Sequence, residues 1–423
     1  MSFFNRYKKI FLILGFIFLA FLFGFLLWKF FFQKPAITPI TPGEEISGTP
    51  GAFPTVGPGG EIGDEFTGPG QLPSTEGDFS PGTPVGEPDP AASAPSIVAS
   101  GGLTETKSIV EDRIINPKVS SSGNINYYNT NDGYFYSIDK DGNAIRLSDK
   151  VFHQVEAVTW APDVDKAIIE YPDGAKIMYD FDTDKQVTLP NYWEDFSFAE
   201  GGEEIVAKSI GLDPDNRWLV ISNSDGSQAT ALEPIGTRAG YVYPDWSPNN
   251  QIVATYTRGV DFDRQEIFFI GLHGENFKST IIEGRGLQSQ WSTEGDKLLY
   301  SVYHSRDNYI PKLWIVGAQG DTIGANRNSL ELNTWANKCT FASNSDVYCA
   351  VPEKLEPGAG MFPELADRTK DNLYKIDLST GAKSLIAVPN GTFNISQIVV
   401  PDNQKYLYFT DKSTGKLYQI RLK

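Results

Sequence analysis

From about residue 107 onward, hydrophobic positions fall in short runs of Val, Ile, Tyr and Phe broken by Gly, Asp, Asn and Ser. No segment there keeps a 3.6-residue apolar period over ten residues, so the pattern predicts strands joined by tight turns. The pattern also repeats. A bulky residue, a small one and a polar turn precede a hydrophobic strand at Trp160-Ala161-Pro162-Asp163, Phe198-Ala199-Glu200-Gly201, Trp246-Ser247-Pro248-Asn249, Trp291-Ser292-Thr293-Glu294 and Phe341-Ala342-Ser343-Asn344. Degenerate copies stand at Val119-Ser120-Ser121 and Val400-Pro401-Asp402. The seven anchors are about 47 residues apart on average. Between them lie hairpin turns such as Asp141-Gly142-Asn143, Asp225-Gly226 and Ser379-Thr380-Gly381, where Gly and Asx supply positive φ. Four strands per unit is the arithmetic of a propeller blade, so residues 104–423 are expected to form an all-β, seven-bladed β-propeller.

The two ends of this region fit one circle. The last unit stops after a third strand at residues 416–422, and residues 104–110 form an unclaimed apolar run before the first anchor. Pairing of 104–110 with 416–422 is therefore expected to close the ring, because an open edge leaves backbone donors and acceptors exposed. The alternative is a frayed linker.

The preceding chain is different. Residues 1–34 carry five bases and no acid, and the nineteen residues Ile10 to Trp28 carry no charge. As a helix these span about 28 Å, close to the hydrocarbon thickness of a bilayer, and Trp28, Phe30, Phe31 and Phe32 suit its boundary. The reading is a transmembrane signal anchor that contacts the membrane through residues 10–28. A cleavable signal peptide fits less well, since the apolar run is long and no small-x-small site follows closely. Arg6, Lys8 and Lys9 place the N-terminus in the cytoplasm and everything after Lys34 outside, in a periplasm or on a cell surface. Residues 35–106 hold 13 Pro, 14 Gly, ten acids and no base, so residues 35–103 are expected to be a disordered linker, with an r.m.s. span for the whole stretch of about 47 Å.

Charge then narrows the chemistry. The whole chain has a net charge of −17, of which −12 falls on residues 107–423, which excludes a general nucleic-acid binder. The two cysteines, Cys339 and Cys349, sit opposite each other in one predicted hairpin and, with the domain outside the membrane, are expected to form a disulfide; two buried thiols are the alternative. The chain contains no G-x-S-x-G, H-E-x-x-H, P-loop or C-x-x-C motif, and His153, His273 and His304 are far apart. Asp139 to Asn143 only faintly matches a calcium loop, and Asp261 with Asp263 no better, so no metal or cofactor is expected. Asn390-Gly391-Thr392 and Asn394-Ile395-Ser396 match the glycosylation sequon, which matters only in a eukaryotic secretory pathway.

The anchors, above all Trp246-Ser247-Pro248 and Trp160-Ala161-Pro162-Asp163, resemble the WD40-like repeat of TolB-type propellers, which extends to the propeller of dipeptidyl peptidase IV-like proteins. The resemblance implies the propeller fold over residues 107–423. TolB's N-terminal domain and the peptidases' hydrolase domain have no counterpart in the sequence, so neither TolB's partners nor peptidase activity is implied. A non-catalytic binding module for an envelope or extracellular protein, peptide or glycan is the leading expectation; a hydrolase or lyase with an acid/base site in the channel is the rival. Binding residues are expected on long loops mixing aromatic and charged side chains, with Arg258, Asp261, His304, Arg306, Tyr309 and Phe362 as candidates, the last in an insertion at residues 353–371.

Overall fold

The computed structural model describes Leu19, Leu22, residues 94–120 and residues 122–423. The expected anchor, apart from Leu19 and Leu22, which are helical and exposed, and residues 35–93 of the expected linker lie outside the described residues; residues 94–103, read from sequence as the end of that linker, are described and carry backbone hydrogen bonds to Ile386 and Arg421. Among the described residues, no helix is long and apolar enough to cross a membrane. The chain divides into the units Met1–Pro84 and Val85–Lys423, and every described strand belongs to the second.

That unit is a seven-bladed β-propeller. Blade one runs Ile114–Val119, Ile125–Asn129, Phe135–Ile138 and Ala144–Arg146. Blade two runs Ala157–Trp160, Lys166–Glu170, Lys176–Asp180 and Lys185–Leu189. Blade three runs Trp193–Phe198, Glu204–Ile210, Arg217–Asn223 and Thr230–Pro234. Blade four runs Val242–Pro244, Ile252–Gly259, Arg264–Gly271 and Thr280–Glu283, and blade five Arg285–Trp291, Lys297–Tyr303, Pro311–Gly317 and Asn328–Ser329. Blade six runs Cys339–Phe341, Asp346–Pro352, Asp371–Asp377 and Ala382–Pro389; blade seven has Ile395–Val399, Tyr406–Asp411 and Leu417–Arg421. Strands within a blade follow chain order and pair antiparallel. First strands touch first strands of neighbouring blades, for example Ile395–Val399 with Ile114–Val119, so they form the inner wall.

The anchors repeat because each fills one gap between blades. Trp160 packs in the core shared by blades one and two, Phe198 in that of two and three, and Trp246 in that of three and four. Trp291, Phe341, Val400 and Val119 serve the remaining four gaps. Each anchor thus faces the blade before it. The indole Nε1 of Trp160 donates to the Asn116 carbonyl at 2.8 Å, and that of Trp291 donates to the Asp245 carbonyl at 3.1 Å, both on or beside the preceding first strand. The small residue after the anchor is buried, and its backbone starts the hairpin: the amides of Ala161, Ala199, Ser247 and Ser292 each donate to the carbonyl five residues on. Ser247 and Ser292 add a side-chain oxygen that accepts from the same residue's amide, which explains Ala or Ser there.

Lys107–Val110 pairs antiparallel with Leu417–Arg421 and supplies the fourth strand of blade seven. The run read from sequence as one strand, 104–110, is split. Leu103–Thr104 pairs in parallel with the outer strand of blade six, at Val388 and Pro389, and the chain crosses to blade seven through Glu105 and Thr106. The segment before it also binds both blades, through the amides of Ala99 to the Arg421 carbonyl and of Gly101 to the Ile386 carbonyl.

Cys339 and Cys349 are directly opposite across the first two strands of blade six and form a disulfide. Bridging residues ten apart in sequence removes unfolded-state freedom worth about 3 kcal/mol. The Cys339→Ala/Cys349→Ala variant is expected to fold with its unfolding free energy lowered by up to about 3 kcal/mol in a denaturant titration; an unchanged midpoint removes the bridge from the energetics of blade six.

Candidate functional site: one face of blades four to six

Antiparallel blades have two different ends. One end collects the hairpins between first and second and between third and fourth strands. The other, termed the connection face, collects the second-to-third loops and the blade-to-blade connections. From residue 94 on, nine of the thirteen exposed large hydrophobic side chains lie in or beside connection-face loops: Tyr192, Leu212, Tyr241, Tyr243, Val260, Phe262, Met361, Phe362 and Leu365. Ile97 and Leu103 belong to the N-terminal segment, Ile145 and Ile281 to outer strands, and none to a hairpin turn at the opposite end.

All six candidates from the sequence lie on this face, in three consecutive blades. The structure brings four loop positions together and engages the two arginines in ion pairs. Asp261 and Phe262 sit in the loop of blade four, His304 and Tyr309 in that of blade five, and Phe362 in the insertion of blade six. Loops four and five are joined through Asp263, whose carboxylate accepts from the Ser305 amide at 3.0 Å and from its hydroxyl at 2.6 Å; the hydroxyl holds Asp263 below the usual carboxylate range. The rings of Phe262 and Tyr309 meet edge-to-face at 6.4 Å. Loops five and six are joined by backbone: the Gly358 amide donates to the Asn308 carbonyl at 2.8 Å and the Gly360 amide to that of Tyr309 at 2.7 Å.

These bonds hold a strained turn. Asn308 and Tyr309 have φ of 54° and 56°, the left-handed region, which costs about 1–3 kcal/mol for a residue bearing a side chain. The insertion that stabilises it is itself anchored, with Ala359 and Ala366 packed on buried Trp335. Beneath lies a polar lock that ties the two connections flanking blade six to its third strand. Lys338 Nζ donates to both oxygens of Asp371, at 3.0 and 2.8 Å, and to Asn394 Oδ1 at 3.1 Å. Asn394 in turn donates through Nδ2 to the Ala366 carbonyl of the insertion. Burial pushes the Lys338 ammonium down and the Asp371 carboxyl up, each opposed by the other's charge. This lock also buries Asn394, so the second sequon is closed to modification in the folded chain.

The two arginine candidates are engaged in ion pairs. Arg258 pairs with Glu266 at 2.7 Å and lies over the Phe268 ring at 5.0 Å, both on its own blade. Arg306 pairs with Glu283 at 2.7 Å. Asp261 is occupied by Arg264 at 2.6 Å, which lowers its carboxyl. His304 caps a 3-10 turn, its Nδ1 accepting from the Arg306 amide at 3.0 Å, and stands 3.8 Å from the Asp263 carboxylate. Sequence reasoning did not single out Phe262, Leu365 or Trp335. Only the first two had a signal, as apolar residues in polar loops.

Asp139 is occupied by the Asp141 and Asn143 amides of its own hairpin. Among the described residues, no group of three His, Cys, Asp or Glu side chains converges as a metal site. Asp245, beside the inner strand of blade four, is pushed up to about 7 by burial, and no side-chain hydrogen bond joins its carboxyl to a second acid or base among the described residues.

No known family's sequence profile matches the chain, and no curated protein sequence matches it. Solved propellers do resemble it in fold. An oligogalacturonate lyase in complex with manganese aligns at 12% identity over 75% of this chain and 93% of its own, with a TM-score of 0.48. The β-propeller domain of the Trilobed protease from Pyrococcus furiosus aligns at 14% over 73% and 95%, with a TM-score of 0.49. A streptogramin B lyase aligns at 11% over 75% and 97%, with a TM-score of 0.48. At these values the likeness concerns fold alone.

The junction of loops five and six tolerates no side chain at Gly360, where a Cβ would stand 2.5 Å from the Tyr303 Cβ and 2.6 Å from the Tyr309 carbonyl oxygen. Gly360→Val is expected to detach the insertion, so that limited proteolysis cuts within residues 353–370 at least tenfold faster while the thermal midpoint of the propeller changes little. Unchanged cleavage would show that the insertion does not depend on this contact.

Proposed function

We propose that the chain is a membrane-tethered, extracytoplasmic propeller that binds an envelope or extracellular partner through the connection face of blades four to six, without catalysis. The observation that carries this reading is the one-sided distribution of exposed apolar side chains: Phe262, Met361, Phe362 and Leu365 project from loops that backbone bonds hold in place. Rigid loops presenting aromatic and apolar side chains lose little entropy on binding, and such patches mark interaction surfaces. The partner is a protein, peptide or glycan; the acidic chain argues against nucleic acid.

The tether rests on sequence. The uncharged run Ile10 to Trp28, with bases before it, supports a single-pass anchor whose N-terminus is cytoplasmic. The Cys339–Cys349 bridge suits an oxidising compartment. Membership of the TolB-type WD40-like group rests on the anchor phrases at Trp160 and Trp246. The rival reading, a hydrolase or lyase working in the channel, draws support from Asp245 alone.

A photo-crosslinking residue in place of Phe362, in the full chain in intact cells, is expected to capture one discrete partner, and Phe262→Ala is expected to cut capture several-fold. The same residue in place of Ile145, on an outer strand, is expected to capture none. Equal capture at both positions, or none at Phe362, would contradict the proposed surface.

A further inference from the structure

The charges of the connection face differ from those of the domain that carries it. Residues 107–423 have a net charge of −12, yet the loops of blades four to six are neutralised from within. Asp261 is paired with Arg264, Arg306 with Glu283, Glu353 with Lys370 at 3.2 Å and Asp367 with Lys412. Asp307 meets Lys312 at 2.6 Å, and Asp263 is held by the Ser305 hydroxyl. The insertion of blade six then carries four exposed charges that have no ion pair among the described residues: Lys354, Glu356, Glu364 and Arg368. Two are bases and two are acids, so this free charge sums to zero. In the same segment Met361, Phe362 and Leu365 are 43%, 52% and 42% exposed, on a backbone that the amides of Gly358 and Gly360 fix to loop five.

This balance narrows what covers the face. A bilayer surface attracts a docking loop through a surplus of Lys and Arg, which the insertion lacks. A strongly acidic or basic partner is matched by free charge of one sign, and here the two signs are equal. A copy of the same chain sets a different condition. A two-fold interface meets itself, so each base on one copy needs an acid on the other, and free charges must come in both signs. Two domains of charge −12 repel one another, and a neutralised face lets them approach. The tether proposed above holds copies in one membrane, which raises their effective concentration.

We propose that the connection face of blades four to six docks on the same face of a second copy of this chain, about a two-fold axis. Phe262, Met361, Phe362 and Leu365 form the apolar contact, and Lys354 and Arg368 of one copy pair with Glu356 and Glu364 of the other. This names the partner of the binding surface inferred above and rests on that reading.

The full chain, purified in a mild non-ionic detergent, tests it by light scattering over a dilution series and by the photo-crosslinking residue in place of Phe362. Twice the chain mass is expected from both. Lys354→Glu/Arg368→Glu leaves four free acids, and Glu356→Lys/Glu364→Lys leaves four free bases. Each variant alone is expected to pair at least tenfold more weakly with an unchanged melt. An equimolar mixture of the two is expected to restore pairing, because acids then face bases. Pairing that persists in both variants alone, or is lost and not rescued by mixing, would overturn the proposal. A monomer whose Phe362 position captures a different protein in intact cells would overturn the second copy and leave the connection face standing as a binding surface. A monomer with no capture at all would remove both.

Discussion

Each gap between blades is filled by one bulky side chain projecting from the blade that follows. A radial sheet buries neither face alone, so every blade depends on both neighbours, and the ring is stable only if all seven gaps are filled. Seven shared cores, one for each adjacent pair including blades seven and one, meet that condition. The indole bonds of Trp160 and Trp291 to the preceding blade add direction to what burial supplies in bulk. Trp246 fills the same position with its Nε1 unpaired, so the bond is an addition to the packing and not its condition.

That dependence explains why the architecture was legible in the sequence. An anchor must be bulky, the next residue small enough to be buried beside it, and the turn able to close; these demands recur at Trp160, Phe198, Trp246, Trp291 and Phe341 and make the repeat visible. The disulfide was legible for the same reason, because hairpin geometry sets Cys339 against Cys349. The split of residues 103–110 between two blades was not. Parallel pairing of Leu103–Thr104 with Val388 and Pro389 depends on where the chain crosses blade six, and two residues carry no period to reveal it.

The site was legible in outline only. Alternation placed the long loops on one end, and composition singled out Tyr309 and Phe362. Charged candidates were harder, because a linear sequence does not show that Arg258 pairs with Glu266 across its hairpin, Asp261 with Arg264 in its own loop and Arg306 with Glu283 of the neighbouring blade. Phe262, Lys338 and Asp371 show the reverse. Their contacts join segments distant in sequence, which spacing does not encode. The connection face of the propeller presents apolar side chains on braced loops.

That surface needs a ring that does not open, and the closing pair is Lys107–Val110 against Leu417–Arg421. Native-state hydrogen exchange on the full chain reads that closure directly. The amides bonded between these strands should exchange as slowly as those between Ile252–Gly259 and Arg264–Gly271 of blade four, through global unfolding alone. Exchange in the closing pair orders of magnitude faster than in blade four would mean that the ring opens at blade seven, and the rigid, closed propeller would have to be abandoned.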